Sequence, residues 1–408
     1  MKIFISSNCL GITMKRDVAV LGVGQTKFGS HPDKTLPELF AEAFFEAFDS
    51  SNIELKDIEA IYFGNFVGEI TDGAANLGGF IADEIGLGGT PAYRFEGACA
   101  SSSLAFREAY LAVKHGIYDC VLVGGAEKLH SAGTPIGTRA LATALDSAYE
   151  VNSGLTFPGV FALITRMYAK VYDIPLEKLR EKIAYVSIKN HKYGAMNPKA
   201  QFYKKFGDLR VEDVLNSRMI CSPLTLFDCC PMTDGASAVI IASAEFAKER
   251  IDEPIYVRGT GQASAGSLFR QRWDVVKALP RKRSAEMAYK EAGMTPKDID
   301  IAFIHDCFTI AEVIASEAMG FFEYGKGADA VEEGLTWVDG EIPINPDGGL
   351  IGKGHPVGAT GTAQIYSAVK ILRGELEFVK IEAETAITDT LGGDFGTLVN
   401  IILSVHRR

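Results

Sequence analysis

The 408-residue sequence has no apolar run near the roughly 18 residues that a membrane-spanning helix requires. It also lacks an excess of positive charge: 41 Lys and Arg stand against 52 Asp and Glu, for a net charge of −11. A nucleic-acid-binding surface over the whole molecule is therefore not expected. The seven cysteines are odd in number and irregularly spaced, which argues against a disulfide framework and favours reduced thiols. The sequence thus predicts a cytoplasmic protein that binds neither membranes nor nucleic acids.

The opening segment, residues 1–13, is too weakly apolar and too interrupted by Ser and Asn to be a signal peptide. Met14, just before a strand-like run, is an alternative start. We therefore predict that residues 1–13 are an N-terminal extension. The remainder has a normal globular balance, with 47% hydrophobic residues, and is long enough for two or more core-bearing units.

Short β-rich runs alternate with amphipathic stretches, which indicates an α/β architecture. Four elements then recur in the same order along the chain, which is the mark of an internal repeat. VAVLGVGQTKFG resembles IYVRGTGQASAG, and GASAVIIAS resembles GTLVNIILS. The first three pairs lie 237 to 256 residues apart (255 − 18; 369 − 113), but the fourth only 161 (396 − 235). This pattern predicts two copies of one βαβ-type unit with an insertion in the first.

The repeat defines the predicted domains. Residues 14–126 and 233–250 form the N-terminal half, and residues 251–408 form the C-terminal half. Residues 127–232 form a loop domain inserted in the first half. That insert holds the most irregular sequence of the chain, as expected of a segment that carries binding function.

Several segments resemble nucleotide- or metal-binding motifs but lack the residues or the spacing that those motifs require. GVGQTKFG has Lys27 where a dinucleotide fingerprint needs glycine, and GGLIGKG has Gly354 where a phosphate loop needs Ser or Thr. Cys229-Cys230 and the His305-Asp306-Cys307 triplet lack the CxxC spacing of zinc ligands. The sequence therefore predicts no metal site.

Cys99, in GACASSS, lies where a helix is about to begin. A free cysteine is most often a small buried hydrophobe. At a helix N-terminus, however, unpaired N–H groups and the helix dipole lower a thiol pKa, and the same N–H groups can hold an oxyanion. Both interpretations of Cys99 remain open at this point.

Three further segments carry polar or glycine-rich patterns. His355 lies in GLIGKGHPVGATG, the repeat counterpart of the Cys99 segment, so pseudo-symmetry predicts that the two loops meet. HDCF ends a strand predicted over 301–307, so His305 and Cys307 are expected on one face of it, at the end where α/β sheets bind ligands. TDTLGGDFGT, at 388–397, is either a plain turn or a loop of backbone donors.

GACASSS, HDCF, GHPVGATG and TLGGDFGT, in this order, resemble the thiolase superfamily over nearly the whole chain from about residue 15. HDCF is similar to the motif of sterol-carrier-protein-type thiolases and archaeal acetoacetyl-CoA thiolases. The resemblance implies a five-layer αβαβα fold of two duplicated halves with a loop domain inserted in the first.

The resemblance also implies roles for single residues. Cys99 would be the nucleophile that accepts the acyl group, and His355 would activate its thiol and help to polarise the thioester oxygen. His305 would hold the water of a first oxyanion hole. The backbone N–H groups of Cys99 and Gly393 would form a second.

The chain departs from most thiolases in one motif. Thr390 stands where their second cysteine lies, and an unperturbed hydroxyl cannot remove an α-proton near neutral pH. The resemblance therefore implies that Cys307 supplies the acid/base.

The implied reaction condenses two acetyl-CoA to acetoacetyl-CoA and CoA, or cleaves 3-oxoacyl-CoA in reverse. Coenzyme A thioesters are substrates, and no cofactor is implied. The alternative is an aldolase or lyase acting on CoA esters, or a non-catalytic subunit of a thiolase-like assembly.

Basic residues on this acidic chain are weak candidates for contacts to the CoA phosphates, since charge runs are usually solvated. They are Lys204, Lys205, Arg210, Arg281, Lys282 and Arg283. The resemblance further implies a homodimer or tetramer, and a complex with a zinc-ribbon/OB-fold protein and 3-hydroxy-3-methylglutaryl-CoA synthase.

Overall fold

A computed structural model describes residues 15–270 and 274–407. The predicted extension, residues 1–13, lies outside the described residues. The strands are β1 Val18–Gln25, β2 Ile61–Gly64, β3 Ala92–Phe95, β4 Cys120–Lys128, β5 Met219–Cys221, β6 Leu224–Thr225, β7 Asp234–Ser243, β8 Ile255–Ser264, β9 Ile301–Phe303, β10 Thr385–Gly392 and β11 Thr397–Ser404. The helices are α1 Leu36–Asp49, α2 Gly68–Thr71, α3 Leu77–Glu84, α4 Ser101–Lys114, α5 Thr134–Leu141, α6 Phe157–Val171, α7 Leu176–Met196, α8 Val211–Leu215, α9 Ala244–Lys248, α10 Leu279–Ala292, α11 Thr309–Ala318, α12 Gly327–Glu332 and α13 Thr360–Leu372.

One sheet runs in the order β3-β2-β4-β7-β1-β8-β11-β10-β9. Its centre is the contact between β1 and β8, which pair over three residues only. Outward from that contact, β1, β7, β4 and β2 on one side match β8, β11, β10 and β9 on the other. These are the four pairs that the sequence repeat predicts, so the duplication is confirmed.

The packing of buried side chains shows that the helices and the two sheet halves stack in the five predicted layers. Helices α1 and α3 cover the outer face of the N-terminal sheet half. Helices α4 and α13 lie in the middle and pack against both sheet halves in one cluster. Helices α10 and α11 cover the outer face of the C-terminal half. The αβαβα fold class is therefore confirmed.

The paired glycines of VAVLGVG and IYVRGTG serve helix packing. A Cβ on Gly22 or Gly24 of β1 would overlap carbonyl oxygens of α1, and a Cβ on Gly259 or Gly261 of β8 would overlap carbonyl oxygens of α10. The two halves thus use glycine at equivalent positions for the same close helix–strand approach.

The beginnings of α4 and α13 touch at the centre of the molecule. A Cβ on Gly361 would overlap the hydroxyl of Ser103, and the backbone N–H of Thr362 donates to Ser102 Oγ at 3.2 Å. This contact brings together the two loops that precede the helices, as the repeat predicts.

The chain between β4 and β7 holds α5 to α8 and the β5–β6 hairpin. Its apolar side chains share a cluster with α11 and with the turn Gly349–Lys353. The exact domain boundaries, including 127–232 for the insert, stay a prediction. Among the helices described, none combines the length and apolar composition needed to cross a bilayer.

Two strands differ from their predicted ranges. The alternating segment KIEAETAI predicts a strand over 380–387, whereas β10 spans Thr385–Gly392. The polar Thr388, Asp389 and Thr390 are buried in β10, which a hydrophobic pattern does not predict. The strand expected over 301–307 ends at Phe303, so that HDCF is a loop.

Candidate active site

Cys99 lies in a short turn that joins β3 to α4. The turn, Ala98–Ala100, is a 3-10 helix, and Ala98 has a left-handed φ of 50°. Ser101 fixes this geometry, because its hydroxyl accepts from the Gly97 N–H at 3.0 Å and donates to the Ala98 carbonyl at 2.6 Å. Such a left-handed backbone costs energy for a residue with a side chain. The turn leaves Cys99 9% exposed at the start of α4.

His355 is held by hydroxyl groups on two sides. Its backbone N–H donates to Thr233 Oγ1 at 2.9 Å, and Nδ1 lies 2.7 Å from Thr360 Oγ1. Thr360 Oγ1 donates its proton to the Pro356 carbonyl, so it accepts from His355 Nδ1–H. This assigns the proton to Nδ1 and leaves a lone pair on Nε2. Within residues 15–270 and 274–407, Nε2 of His355 has no hydrogen-bond partner.

His305 approaches His355 from the other sheet half. Its backbone N–H donates to Asp389 Oδ2 at 3.2 Å, and its ring is fully buried. The two imidazoles meet edge to face, with ring centroids 5.0 Å apart. One ligand atom each from Cys99, His305 and His355 lies within 4.8 Å of the other two.

Burial is the largest influence on the pKa of the Cys99 thiol and of both imidazoles. Burial raises the pKa of the Cys99 thiol to about 12, although the N–H groups of Gly393 and of Cys99 itself donate to the sulfur and oppose that rise. Burial lowers the pKa of His355 to about 3 and lowers that of His305 well below its usual value. The backbone donors at the start of α4 thus act to lower the Cys99 pKa, as expected of a helix N-terminus, but desolvation outweighs them. Near pH 7 the thiol is protonated and both imidazoles are neutral.

A cavity of about 310 Å³ opens in front of the sulfur. Cys99, His305, Cys307, His355 and Gly393 all line it. Thr390 does not appear in the lining; its hydroxyl lies 3.4 Å from the Val399 carbonyl within the sheet. The structure therefore places around one cavity every residue for which the sequence analysis expects a catalytic role.

Cys307 lies next to a second cysteine, Cys230, to which it is joined by a backbone hydrogen bond. The backbone N–H of Cys230 donates to the Cys307 carbonyl at 3.0 Å, and both residues line the cavity. Burial raises the pKa of Cys307 and of Cys230 well above the usual value. Cys307 thus needs a proton acceptor before it can act as a base.

Two buried carboxylates support the site, and the sequence analysis did not find their roles. Asp389 pairs with Arg281 at 3.2 Å beneath His305. Asp306 accepts from the N–H groups of Leu350 and Ile351 at 2.7 and 3.2 Å, and so holds the turn that leads to His355. Burial and the charge of Glu312 raise the pKa of Asp306 to about 7. The available signal was an aspartate close behind an apolar run, as in IAFIHDCF and AITDTL.

The apolar wall of the cavity also escaped the sequence analysis. Leu141, Phe157 and Phe161 contribute to it from the inserted segment, opposite Phe308 and Leu391. Phe157 and Phe161 stand at an i, i+4 spacing on α6, which predicts a buried face but not what that face encloses.

The structure corrects one candidate for CoA phosphate binding. Arg281 is fully buried and paired with Asp389, so it is not accessible to a phosphate in solvent. The other candidates are exposed and do not line the cavity: Lys204, Lys205, Arg210, Lys282 and Arg283. Arg210 is paired with Asp213 at 3.2 Å, and Lys204 lies 5.0 Å from the centre of the Tyr203 ring.

Two family models match the chain. "Thiolase, N-terminal domain" matches residues 18–245, and "Thiolase C-terminal domain-like" matches residues 261–405.

Individual relatives give the same result. The acetyl-CoA acetyltransferase of Methanothermobacter thermautotrophicus is 41% identical over 95% of this chain and 100% of its own length. Sterol carrier protein 2 of Gallus gallus is 33% identical over 88% of this chain and 66% of its own length. A chain of the solved Ltp2-ChsH2(DUF35) aldolase is 24% identical, with a TM-score of 0.81, over 97% of this chain and 100% of its own; at that identity the likeness concerns the fold alone. With both domain models matched and a 41% identical relative over its full length, the chain belongs to the thiolase family.

Proposed function

We propose that the protein is an acetyl-CoA C-acetyltransferase that joins two acetyl-CoA molecules through an acyl group carried on Cys99. The observation that carries this proposal is the cluster of one thiol and two imidazoles within 4.8 Å, at the inner end of an apolar cavity. A thiol is both a good nucleophile and a good leaving group, which a reversible acyl transfer requires.

The first half-reaction forms the acyl-enzyme. His355 Nε2 accepts the Cys99 proton while Sγ attacks the thioester carbonyl. The N–H groups of Cys99 and Gly393, which point at the sulfur, receive the developing oxyanion. The C–S bond to coenzyme A then breaks, and the departing thiolate takes the proton of Cys307 and leaves as the free thiol.

The second half-reaction forms the carbon–carbon bond. The Cys307 thiolate removes an α-proton from a second acetyl-CoA, and His305 and His355 stabilise the enolate oxygen. The enolate carbon attacks the acyl group on Cys99, and the C–Sγ bond breaks. Cys99 then recovers its proton from His355, so that all groups return to their starting states.

Intact-mass measurement after incubation with acetyl-CoA tests the acyl carrier. Wild-type protein should gain one acetyl group, and Cys99→Ala should gain none and lose condensation by a factor on the order of 10⁴ or more. Cys221→Ala, which alters a thiol outside the cavity lining, is the matched control and should behave as wild type. An unmodified wild type together with an active Cys99→Ala variant would refute the proposal.

The role of Cys307 is tested separately by the same measurement. Cys307→Ala should still gain the acetyl group, because Cys99 and His355 form the acyl bond and the coenzyme A thiolate can leave without the Cys307 proton. Condensation should fall by about 10²–10⁴-fold, because no thiolate is then left to remove the α-proton. Near wild-type condensation in this variant would move the acid/base role to another group.

The activity of Cys99→Ala distinguishes the proposed acetyltransferase from the alternative, an aldolase or lyase. Carbon–carbon cleavage by a retro-aldol route needs no covalent acyl carrier, so Cys99→Ala would keep that activity. Assays of both reactions on this variant therefore separate the two functions.

The proposal includes a homo-oligomer. β3 lies at one edge of the sheet, and large apolar side chains lie exposed on and near it: Phe80, Tyr93 and Ile117. Exposed edges of this kind readily pair with another chain. Sedimentation velocity should find a dimer or tetramer and a smaller species for Tyr93→Lys; a wild-type monomer would contradict this part.

The proposal also includes a cytoplasmic location and a complex with a zinc-ribbon/OB-fold protein and 3-hydroxy-3-methylglutaryl-CoA synthase. An exposed apolar stripe on α6, at Leu163, Met167 and Val171, supports a protein partner. Co-expression followed by size-exclusion chromatography checks for the complex; separate elution of all three proteins would contradict it.

A further inference from the structure

Cys99, His305 and His355 supply the donor set of a tetrahedral metal site. Their three ligand atoms lie within 4.8 Å of one another. Zinc binds thiolate sulfur at about 2.3 Å and imidazole nitrogen at about 2.0–2.1 Å, which places tetrahedral ligands about 3.3–3.6 Å apart. Small side-chain rotations therefore suffice to close the three donors around one ion. No local spacing in the sequence predicts these three ligands together, because they come from three separate loops.

The lone pairs needed for coordination are present. His305 is fully buried, and in the part of the chain that the structure describes neither of its ring nitrogens has a hydrogen-bond partner. Nε2 of His355, also buried, has none either. Unpartnered buried nitrogens are costly, and a cation among them would satisfy one on each ring.

His355 is also oriented in the way that metal-binding histidines are. Its Nδ1–H donates to Thr360 Oγ1 at 2.7 Å, and Thr360 in turn donates to the Pro356 carbonyl. Ligating histidines commonly donate their second N–H to such a partner, which fixes the ring and its tautomer. The bonds that prepare Nε2 to take a proton thus also prepare it to coordinate an ion.

We propose that Cys99, His305 and His355 form a binding site for a borderline-soft divalent cation such as Zn²⁺, and that this ion blocks the nucleophile. Binding forms one Zn–S bond and two Zn–N bonds, and the Cys99 thiol proton is released to solvent. The fourth position faces the cavity and is open to water. Because the sulfur lone pair is engaged by the metal, it is not available to attack a thioester. Thiolate and imidazole ligands favour Zn²⁺ or Cu²⁺ over Mg²⁺, which prefers oxygen.

Direct binding to the complete protein tests the site without reference to activity. Co²⁺ added to wild-type protein should produce the intense thiolate-to-metal charge-transfer absorption, and Zn²⁺ should displace it, whereas Mg²⁺ should not. Cys99→Ala should lose this absorption. His305→Phe and His355→Phe should weaken binding by more than the roughly 10–100-fold expected when a second-shell partner is lost, and Thr360→Val by about that amount. Cys221→Ala should bind as wild type.

Thiol protection gives an independent measurement. Zn²⁺ should slow the alkylation of Cys99 by iodoacetamide, followed by peptide mass spectrometry, and should leave Cys221 in the same sample unaffected. Thermal unfolding of each variant shows whether it is folded, and the mild Thr360→Val change keeps the test valid if a histidine variant is not.

Three results would overturn the site: no charge-transfer absorption in the wild type, wild-type binding by Cys99→Ala, or equal protection of both thiols. None of these measurements uses turnover, so the metal site and the acetyltransferase activity can fail separately.

Discussion

The two loop–helix junctions that meet at the site hold their reactive side chains in different ways. At residues 97–99, before α4, the side chains of Ser101 and Glu96 hold the backbone, and the hydrogen bonds to the cysteine sulfur come from the backbone N–H groups of Gly393 and Cys99. At residues 354–356, before α13, hydroxyl groups hold both the backbone and the ring of His355. The thiol can therefore form and break a covalent bond without losing a side-chain partner. The imidazole stays in one tautomer, ready to accept a proton at Nε2.

The largest expected effect in this comparison comes from removing the ring partner on the histidine side. Thr360→Val keeps the shape of the side chain but leaves His355 Nδ1–H without an acceptor, so the orientation and tautomer of the ring are no longer fixed. We expect kcat to fall by about 10–100-fold with little change in KM, because Thr360 does not line the described cavity. Thr360→Ser, which restores the hydroxyl, should recover most of the rate. An unchanged kcat in Thr360→Val would show that backbone position alone orients the ring.

The second prediction compares two substitutions that change backbone strain, one at each loop–helix junction. Gly354 has φ 120°, and a Cβ there would lie 3.1 Å from Thr233. Gly354→Ala should therefore lower the free energy of unfolding by about 1–3 kcal/mol.

Ala98→Gly is the matched change at the cysteine junction. Glycine removes the strain of the left-handed φ of 50°, but it also raises the conformational entropy of the unfolded chain. These two effects oppose each other, so the free energy of unfolding should change by no more than about 1 kcal/mol. Urea unfolding of both variants gives the comparison, and equal effects would show that the junctions are strained alike.

The last comparison is a pH dependence, which belongs to the histidine side. Burial lowers the pKa of His355 from its ordinary value of 6.5 to about 3, so below pH 6.5 the unfolded chain binds a proton that the folded chain does not. The free energy of unfolding should then fall by up to about 1.4 kcal/mol per pH unit, or about 2 kcal/mol from pH 6.5 to 5.

Urea unfolding at pH 7 and pH 5 checks this prediction. The His355→Gln variant should show a shallower loss of stability than wild type, because the titrating group is gone. His115→Gln, at an exposed histidine after α4, is the control and should keep the wild-type slope. Identical slopes for wild type and His355→Gln would assign the acid sensitivity to other groups.

Much of the fold was predictable because it rests on repeated local patterns. The glycine pairs of β1 and β8 mark equivalent helix contacts, and the four repeated elements occupy equivalent strands. β10 was placed about five residues too early, because its buried Asp389 and neighbouring threonines are polar. Asp389 is tolerated in the core because Arg281 and the Asn400 amide contact it at 3.2 Å. Arg281 lies 108 residues earlier in the chain (389 − 281), so no local pattern reveals that partner.

The sequence by itself determined the duplication, the family and the identity of the residues that carry chemistry, because each depends on residue type and order. The tertiary structure alone decided the protonation states around Cys99. A helix N-terminus in water favours a thiolate, but the five layers bury this one so deeply that desolvation dominates and the thiol stays protonated. It also decided that Arg281 supports the site from below, and that three loops place one sulfur and two nitrogens within reach of a single ion. Burial and long-range contact are properties of the packed chain, which residue order along the sequence does not contain.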